Sequence, residues 1–308
     1  MSRNKHTSLV FLLALCSTGL FSCAKTHHVA YVYAYGTNWE VHLYEGSAQD
    51  KEDIASFVRK TSQLIDPNAS AIPDGVYALN QGNPVQLDPF VSDALKRSQE
   101  YEKKAEGGLC FRLGALTRLW EECLKEKTVP SKEERFALLL DAEETSVTEK
   151  DGYTQKIGDG EYDLGALGKG LCLEYLKDIL KEKGITDYFI NGGTSSLLFG
   201  KRPVKVYLDD APGKSFAAQE CAVATSSNSR ESTVINGVTY SHVIDPKTGE
   251  AKTPYDACCL KGNDAAELDA YATAGMVLGS SFLNSLENVE YALIKGGQVV
   301  DASQGFLE

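Results

Sequence analysis

The sequence predicts an α+β fold in which mixed, largely antiparallel sheets are flanked by helices. Segments with the alternating pattern of strands outnumber the helical segments, and tight turns such as Asn236-Gly237 and Gly296-Gly297 join several of them. The chain contains no repeat of fixed period and no low-complexity linker. Because strands joined by short turns pair antiparallel, these features favour one mixed unit over a parallel βαβ fold.

The first 22 residues have the pattern of an export signal. Arg3 and Lys5 precede an apolar run over residues 9–20, which is too short to span a bilayer. The run ends in Ser22-Cys23 and resembles a bacterial lipobox, which predicts that Cys23 carries the lipid (palmitate) anchor of an exported lipoprotein. A plain signal peptide with an incidental cysteine is the alternative. We therefore expect a signal peptide over 1–22, a tether over 23–30 and one folded unit over 31–308.

The charge of the mature chain excludes one class of partner. Without residues 1–22, which contain Arg3 and Lys5, 29 basic and 43 acidic residues remain, a net charge of −14. So acidic a protein argues against nucleic-acid binding, and an anionic substrate would need local positive charge or a metal ion.

Six cysteines follow Cys23 without a Cys-x-x-Cys pair, and two of the four remaining histidines lie in the tether. Few cysteine and histidine side chains are therefore available as zinc ligands. We interpret Cys172 and Cys221 as buried apolar residues.

In the first half of the chain, alternation predicts strands over 29–34 and 39–44. Ser47 and Asp50 form a capping box before a helix, while residues 67–87 lack periodicity and predict a loop. Asp88 caps a second helix that stops at Gly107-Gly108. Further helices are predicted over 113–127 and 131–140, the latter started by Ser131 with Glu134.

The second half is richer in strands. A strand over 161–164 is expected to enter a glycine turn and then a helix that stops at Gly184. Strands follow over 188–191, 196–199 and 204–208, and hairpins over 233–244 and 289–301. A helix over 265–279 lies between the two hairpins.

Three polar segments could contact an anionic ligand. Gly165, Gly168 and Gly170 surround Lys169 where a helix begins, and backbone N–H groups at such a place can bind an anion. Asn191-Gly192-Gly193 ends a strand, and Thr225-Ser226 follows another apolar stretch. Each segment alone is also compatible with an ordinary turn or a solvated loop.

Asp269, Thr273 and His242 carry the candidate chemistry. Asp269 and Thr273 are four residues apart, which places them on one face of the predicted helix, and hard oxygen ligands suit Mg²⁺. His242 lies at the end of a hairpin, before Asp245, and a neutral imidazole can accept a hydroxyl proton. Structural roles are the alternatives: Asp269 near a helix start and His242 as an isolated histidine.

Taken in order, these segments resemble the ApbE family of FAD:protein FMN transferases. Residues 163–170, 191–193, 224–227, 241–249 and 268–273 are similar to the family's motifs, and Tyr35-Gly36-Thr37 is similar to its opening Met-Gly-Thr. Phe111-Arg112 stands where the family has Phe-Asp, so an acidic group there is missing or lies elsewhere. The resemblance implies a single ApbE-like, T-fold-related catalytic unit.

The resemblance also implies roles for individual residues. The side chains of Asp269 and Thr273 and the carbonyl of Gly168 match the Mg²⁺ ligands. His242 and Lys169 match catalytic positions. The positions implied to bind FAD are Tyr35, Gly165, Gly168, Lys169, Asn191, Gly192, Gly193, Thr225, Ser226, His242 and Asp245.

The implied reaction is Mg²⁺-dependent transfer of FMN from FAD to a threonine hydroxyl of a membrane flavoprotein subunit, with release of AMP. The enzyme would be lipid-anchored on the outer face of the cytoplasmic membrane. A Mg²⁺-dependent FAD pyrophosphatase and a non-catalytic flavin-binding lipoprotein are the alternative functions.

Overall fold

The computed structural model describes residues 27–229 and 232–307, and it confirms the mixed α+β fold. The strands are β1 His28–Ala34, β2 Thr37–Leu43, β3 Ser146–Lys150, β4 Tyr153–Ile157, β5 Tyr188–Gly192, β6 Ser196–Phe199, β7 Val204–Tyr207, β8 Ser215–Ala218, β9 Ala222–Ser227, β10 Ser232–Ile235, β11 Val238–Ser241, β12 Ala257–Gly262, β13 Glu290–Lys295 and β14 Gln298–Ala302. The helices are α1 Ala48–Ile65, α2 Val76–Asn80, α3 Pro89–Lys104, α4 Gly114–Lys125, α5 Lys132–Glu144, α6 Gly165–Glu182, α7 Ala265–Leu278 and α8 Ser280–Leu283.

Eight strands form one sheet in the order β1-β2-β5-β6-β9-β12-β13-β14, and every neighbouring pair is antiparallel. Three further pairs, β3-β4, β7-β8 and β10-β11, form separate two-stranded sheets. Antiparallel pairing throughout agrees with the tight turns in the sequence.

The two faces of the large sheet bury different clusters. Alternate residues of a strand point to opposite faces, so Leu198 joins the main core under α1, α3, α6 and α7, while Leu197 joins a second cluster. That second cluster includes Phe216 of β8 and Phe306 near the end of the chain. A third cluster packs α4 and α5 around Trp120. The centre of the sheet is therefore buried on both sides.

Local capping signals predicted the helix starts well. Ser47 with Asp50 and Ser131 with Glu134 both form reciprocal capping boxes, and Asp88 caps α3 with Pro89 in its first turn. The Asn236-Gly237 turn joins β10 to β11, with positive φ angles of 50° and 78° at its two residues. Such angles suit Asn and Gly.

Other expectations were wrong. The predicted loop over 67–87 contains the short helix α2, and α5 continues to Glu144 rather than ending at residue 140. Residues 161–164 are not a strand, since only Glu161 forms an isolated bridge, to Leu113. Gly165, Gly168 and Gly170 therefore lie within the first turns of α6 and not in a turn before it.

The sequence also missed strands that no local signal marks. β8 and β12 were not predicted, and residues 224–227, interpreted as a segment after an apolar stretch, belong to β9. β9 and β12 pair with strands from distant parts of the chain, as β12 does with β9 and β13, whereas β8 forms a local hairpin with β7. Cys172 is buried as expected, but Cys221 is only partly buried, and the six cysteines after Cys23 are all free thiols.

The predicted tether over 23–30 is too long. β1 begins at His28, and the ring of His27 already stacks on that of Tyr44 with 4.4 Å between the centroids. The signal peptide over 1–22 and Cys23 lie outside the described residues. Within residues 27–229 and 232–307, no helix combines the length and apolar character needed to cross a bilayer.

Candidate active site

A cleft of about 1010 Å³ opens at the end of the large sheet where β5 and β9 finish. This volume is large enough for a dinucleotide. It reaches both faces of the sheet, because α7 contributes Asp269 and Thr273 on one side and alternate strand residues such as Leu197 and Val223 line the other. The predicted site residues that line it are Tyr35, Gly165, Lys169, Asn191, Gly193, Thr225, Ser226, His242, Asp269 and Thr273.

Asp269 is the best-defined side chain of the cleft. Its carboxylate is buried, with 7% of the residue exposed. Oδ2 accepts the backbone N–H of Gly170 at 2.8 Å, and Oδ1 accepts the hydroxyl of Ser196 at 3.1 Å. No cationic side chain forms an ion pair with Asp269 among the residues that the structure describes, so a buried carboxylate faces the cleft without a balancing charge.

Gly170 explains how α6 and α7 bring this carboxylate into place. A Cβ atom at Gly170 would lie 2.2 Å from the carbonyl oxygen of Ala265 and 2.5 Å from the Cβ of Asp269. Only glycine permits such close contact between the two helices. The sequence pattern suggested an anion-binding role for this glycine, whereas the structure shows that it permits the contact between α6 and α7.

Thr273 lies one helical turn beyond Asp269, and its Oγ1 is 2.9 Å from the Oγ of Ser226 on β9. Each oxygen of the Asp269 carboxylate accepts one hydrogen bond and retains lone-pair capacity. No group of three or more His, Cys, Asp or Glu residues suited to a metal occurs within the described ranges. One carboxylate and one hydroxyl, completed by water and phosphate oxygens, fit the ligand preference of Mg²⁺.

The N-terminus of α6 supplies the positive side of the cleft. Lys169 lines the cleft, and the dipole of α6 adds partial positive charge at its N-terminus. Asp163, which the sequence did not mark as a site residue, also lines the cleft and accepts the N–H of Gly165 at 2.9 Å. Burial raises the pKa of Asp163, and the Gly165 N–H and Arg118 oppose that shift.

Tyr35 and Gly36 form the two-residue turn between β1 and β2 and line the cleft. Both have positive φ, 52° and 70°, which matches a type I′ hairpin but is uncommon for tyrosine. The backbone N–H of Tyr35 donates to Ser62 Oγ at 2.6 Å. The Tyr35 hydroxyl is buried without a hydrogen bond of standard geometry, and burial raises its pKa well above the ordinary value.

The β5–β6 turn closes another side of the cleft. Asn191 Oδ1 accepts the N–H of Thr194 at 2.7 Å, and Thr194 has a φ of 70°. A Cβ atom on Gly193 would lie 2.3 Å from the side chain of Thr37, so this turn is pressed against the β1–β2 turn. Gly192 lies in β5 and, like Gly168, does not line the cleft.

Thr225 and Ser226 point to opposite faces, as neighbours in a strand must. Ser226 faces Thr273, whereas Thr225 is paired across the sheet with Cys259 of the second cluster. Both line the cleft because it extends around the end of the sheet. The sequence placed them in one polar segment but could not show this division.

His242 is exposed at the rim of the cleft, directly after β11. The backbone just before His242 is held by a hydrogen bond, because the Ser241 N–H donates to Ala251 O at 2.8 Å. Asp245 does not line the cleft. Its carboxylate accepts the N–H of Lys247 at 2.8 Å and the hydroxyl of Thr248 at 3.0 Å, so it holds the turn after His242.

An acidic side chain from another helix lies beside Phe111. Glu102 of α3 pairs with Arg112 at 2.6 Å and also accepts the N–H of Phe111. A carboxylate therefore does lie next to Phe111, although it belongs to a different part of the sequence.

The family model of the ApbE family matches residues 35–293. The chain belongs to the ApbE family. Among curated relatives, the FAD:protein FMN transferase of Treponema pallidum is 24% identical over 291 residues, covering 84% of this chain and 78% of that protein. The Escherichia coli K12 protein of the same name is 26% identical over 215 residues, covering 64% and 61%. These relatives are enzymes.

Solved ApbE structures share the fold. The ApbE protein of Thermotoga maritima superposes with a TM-score of 0.79 at 21% identity, covering 91% of this chain and 98% of that one. The flavin transferase ApbE of Vibrio cholerae gives a TM-score of 0.73 at 20% identity with the same coverage. The ApbE architecture is thus retained at low sequence identity.

Proposed function

We propose that this chain transfers FMN from FAD to a threonine hydroxyl of an acceptor flavoprotein and releases AMP, with Mg²⁺ as the metal. The observation that carries the proposal is that Lys169, His242, Asp269 and Thr273 all line one cleft. The cleft has room for FAD, and curated relatives along most of the chain are named FAD:protein FMN transferase. A site divided between separate surfaces would have excluded this reaction.

The metal would be held by Asp269 and Thr273. Bound there, Mg²⁺ supplies charge neutralisation at the diphosphate bridge of FAD. The resemblance implies the carbonyl of Gly168 as a third ligand, but Gly168 lies within α6 and does not line the cleft, so the proposal rests on the two side chains. Ser196 and Ser226 orient the two side-chain ligands through their hydroxyl groups.

Lys169 and the α6 N-terminus would bind the phosphate groups. In an acidic protein, Lys169 places a local positive charge in the cleft. A cation there also stabilises the negative charge that develops on the AMP phosphate as it leaves.

His242 would act as the general base. The threonine oxygen of the acceptor attacks the phosphorus of the FMN half, and a new P–O bond forms. The P–O bond to the AMP phosphate breaks, AMP keeps the bonding electron pair, and His242 accepts the hydroxyl proton. The exposed position of His242 at the rim suits a base that must meet a protein substrate.

The proposed location follows from the N-terminus. Export and lipidation of Cys23 would anchor the protein on the outer face of the cytoplasmic membrane, where membrane flavoprotein subunits expose their domains. Mass spectrometry of the exported protein tests this, because a diacylglyceryl-modified Cys23 is expected at its mature N-terminus.

The function is tested by incubating purified protein with FAD, Mg²⁺ and threonine-bearing flavoprotein subunits of the same organism. AMP together with FMN attached to threonine supports the proposal. AMP with free FMN and no labelled acceptor would instead select an FAD pyrophosphatase. FAD binding without AMP, unaffected by Asp269→Ala, would select a non-catalytic flavin-binding protein.

A further inference from the structure

β1 is an edge strand of the large sheet, and the pairing of its neighbours determines which of its backbone N–H and C=O groups point outward. Tyr44 N–H donates to Asp187 O at 2.9 Å, continuing the β2–β5 ladder. In an antiparallel strand, the residues alternate between its two neighbours. Even-numbered residues of β2 therefore bond to β5, and the odd-numbered residues bond to β1.

The register then fixes which groups of β1 point outward. Ala30 and Val32 lie opposite Val41 and Trp39 and bond to β2. The N–H and C=O groups of the alternate residues, Val29, Tyr31 and Tyr33, point away from the sheet. Within residues 27–229 and 232–307, these outward groups form no hydrogen bond.

Ser62 of α1 marks the end of this open stretch. The next outward N–H in the series is that of Tyr35, and it donates to Ser62 Oγ at 2.6 Å. This contact agrees with the assignment that the N–H groups of odd-numbered residues point outward. It also means that any further strand could pair with β1 only before residue 35.

The opposite edge of the sheet is protected. β14 has five residues, and its pairing with β13 contains a register shift at Leu293/Ile294. Such bulges prevent further strand pairing. β1 has seven residues without a bulge, lysine, arginine or proline, and these are the devices that normally protect an edge.

Two large aromatic side chains stand on this edge. Tyr31 and Tyr33 are 72% and 73% exposed, the largest such values among the exposed large hydrophobic residues described. Tyrosine supplies broad contact area at low conformational cost and is enriched at protein interfaces.

The edge and the cleft belong to one surface. Tyr31 lies opposite Glu40, which lies opposite Asn191 of the cleft. Two strand spacings separate Tyr31 from Asn191, or about 10 Å. β1 also runs directly into the Tyr35-Gly36 turn that lines the cleft.

We propose that the acceptor flavoprotein docks by adding an extended segment to β1 as a ninth strand along Val29–Tyr33. The proposal rests on the proposed function and names the recognition mode of its protein substrate. Backbone pairing provides affinity, and the tyrosines contact the side chains of the segment. The segment then needs a few more residues to carry its threonine into the cleft.

Charge indicates the chemistry of the partner. Glu40 lies beside Tyr31, and the whole chain carries a net charge of −12. The docking segment is therefore neutral or basic, not acidic. The same charge disfavours an anionic membrane as the occupant of this edge, and unpaired backbone groups are costly in lipid.

Amide hydrogen exchange tests the pairing directly. The probes are threonine-containing peptides of about 12 residues, longer than one strand, from the exported flavoprotein subunits of the same organism. In the free protein, the amides of Tyr31 and Tyr33 should exchange fast and those of Ala30 and Val32 slowly. On peptide binding, the first pair should become protected. Binding without protection of Tyr31 and Tyr33 would overturn the proposal, as would no binding by any peptide.

A proline on each edge provides matched variants. Tyr31→Pro removes an N–H that points away from the sheet, whereas Val300→Pro places the same residue on β14 at the other edge. Tyr31→Pro should weaken peptide binding about tenfold or more, about 1.4 kcal/mol, and raise the KM for the acceptor. Val300→Pro should change neither. Equal effects of the two variants would contradict strand addition.

Two measurements without acceptor distinguish a failure of the proposed function from a failure of strand addition at β1. They are FAD binding and metal-dependent release of AMP. If Tyr31→Pro retains both but loses acceptor labelling, the docking edge is supported. If the wild type neither binds nor cleaves FAD, the function fails, while amide protection still decides strand addition. Binding to phosphatidylglycerol vesicles that Tyr31→Ser abolishes, without amide protection by any peptide, would assign the edge to the membrane and overturn the proposal.

Discussion

The backbone N–H of Gly170 donates a hydrogen bond to Asp269 Oδ2 at 2.8 Å across the contact between α6 and α7. This bond connects the phosphate side of the cleft, beside Lys169, to the proposed metal side. It requires two helices to approach so closely that a Cβ atom at residue 170 would meet backbone.

Gly170→Ala should therefore destabilise the fold and remove activity together. The added methyl group would lie 2.2 Å from Ala265 O, and relieving that overlap should cost about 3 kcal/mol. Urea unfolding measures this loss. The control is Gly184→Ala at the end of α6, where positive φ costs about 1 kcal/mol and no atom lies within 4 Å. Similar losses in both variants would contradict the close helix contact.

Ser196→Ala should lower the affinity for the metal, and this loss in binding free energy should exceed its effect on the free energy of unfolding. The Ser196 hydroxyl donates to Asp269 Oδ1, and its loss leaves the carboxylate less well oriented. Loss of such a supporting contact typically costs about tenfold in metal affinity. Mn²⁺ binding followed by electron paramagnetic resonance measures it. Ser98→Ala is the control, because Ser98 is equally buried but bonds to Leu95 O in α3. Equal Mn²⁺ affinities in the two variants would rule out the orienting role.

His242→Ala should slow the chemical step of transfer much more than it weakens FAD binding. Removal of a general base costs about 10²- to 10⁴-fold in rate. Single-turnover labelling of the acceptor measures the chemical step. His42→Ala serves as the control, since His42 contacts His27 and Glu40 on the sheet surface. An unchanged rate in His242→Ala would remove His242 from the chemistry.

Asp50→Asn should lower stability in a pH-dependent way. Hydrogen bonds from Lys183 and Ser47 hold the pKa of Asp50 at about 2, below its ordinary 3.8. Because the folded-state pKa is depressed, this stabilisation is present above pH 3.8 and is lost as pH falls toward 2. The difference in urea midpoint between wild type and Asp50→Asn should shrink over that window. The control Glu182→Gln, at the end of α6, should show a smaller difference, and a difference independent of pH in Asp50→Asn would contradict the coupling.

Sequence patterns predicted the features that depend on neighbours in the chain. The capping boxes at Ser47 and Ser131 and the Asn236-Gly237 turn need only a few adjacent residues. β12 was missed because it exists through pairing with β9 and β13, which come from elsewhere in the chain.

The same division holds for the site. Asp269 and Thr273 share a helix face, so their spacing was visible in the sequence. Ser196 was missed because its bond to Asp269 joins residues 73 positions apart. The contact of Glu102 with Phe111 was missed for the same reason, since Glu102 reaches Phe111 from α3.

In the proposed mechanism, Asp269 and Thr273 hold a divalent cation against the diphosphate of FAD. A crystal structure with FAD and Mn²⁺, using anomalous scattering to locate the metal, tests this arrangement. We expect one anomalous peak at coordination distance, about 2.2 Å, from Asp269 and Thr273 oxygens and next to the FAD phosphates. A peak elsewhere, or FAD bound with its diphosphate away from α7, would contradict it.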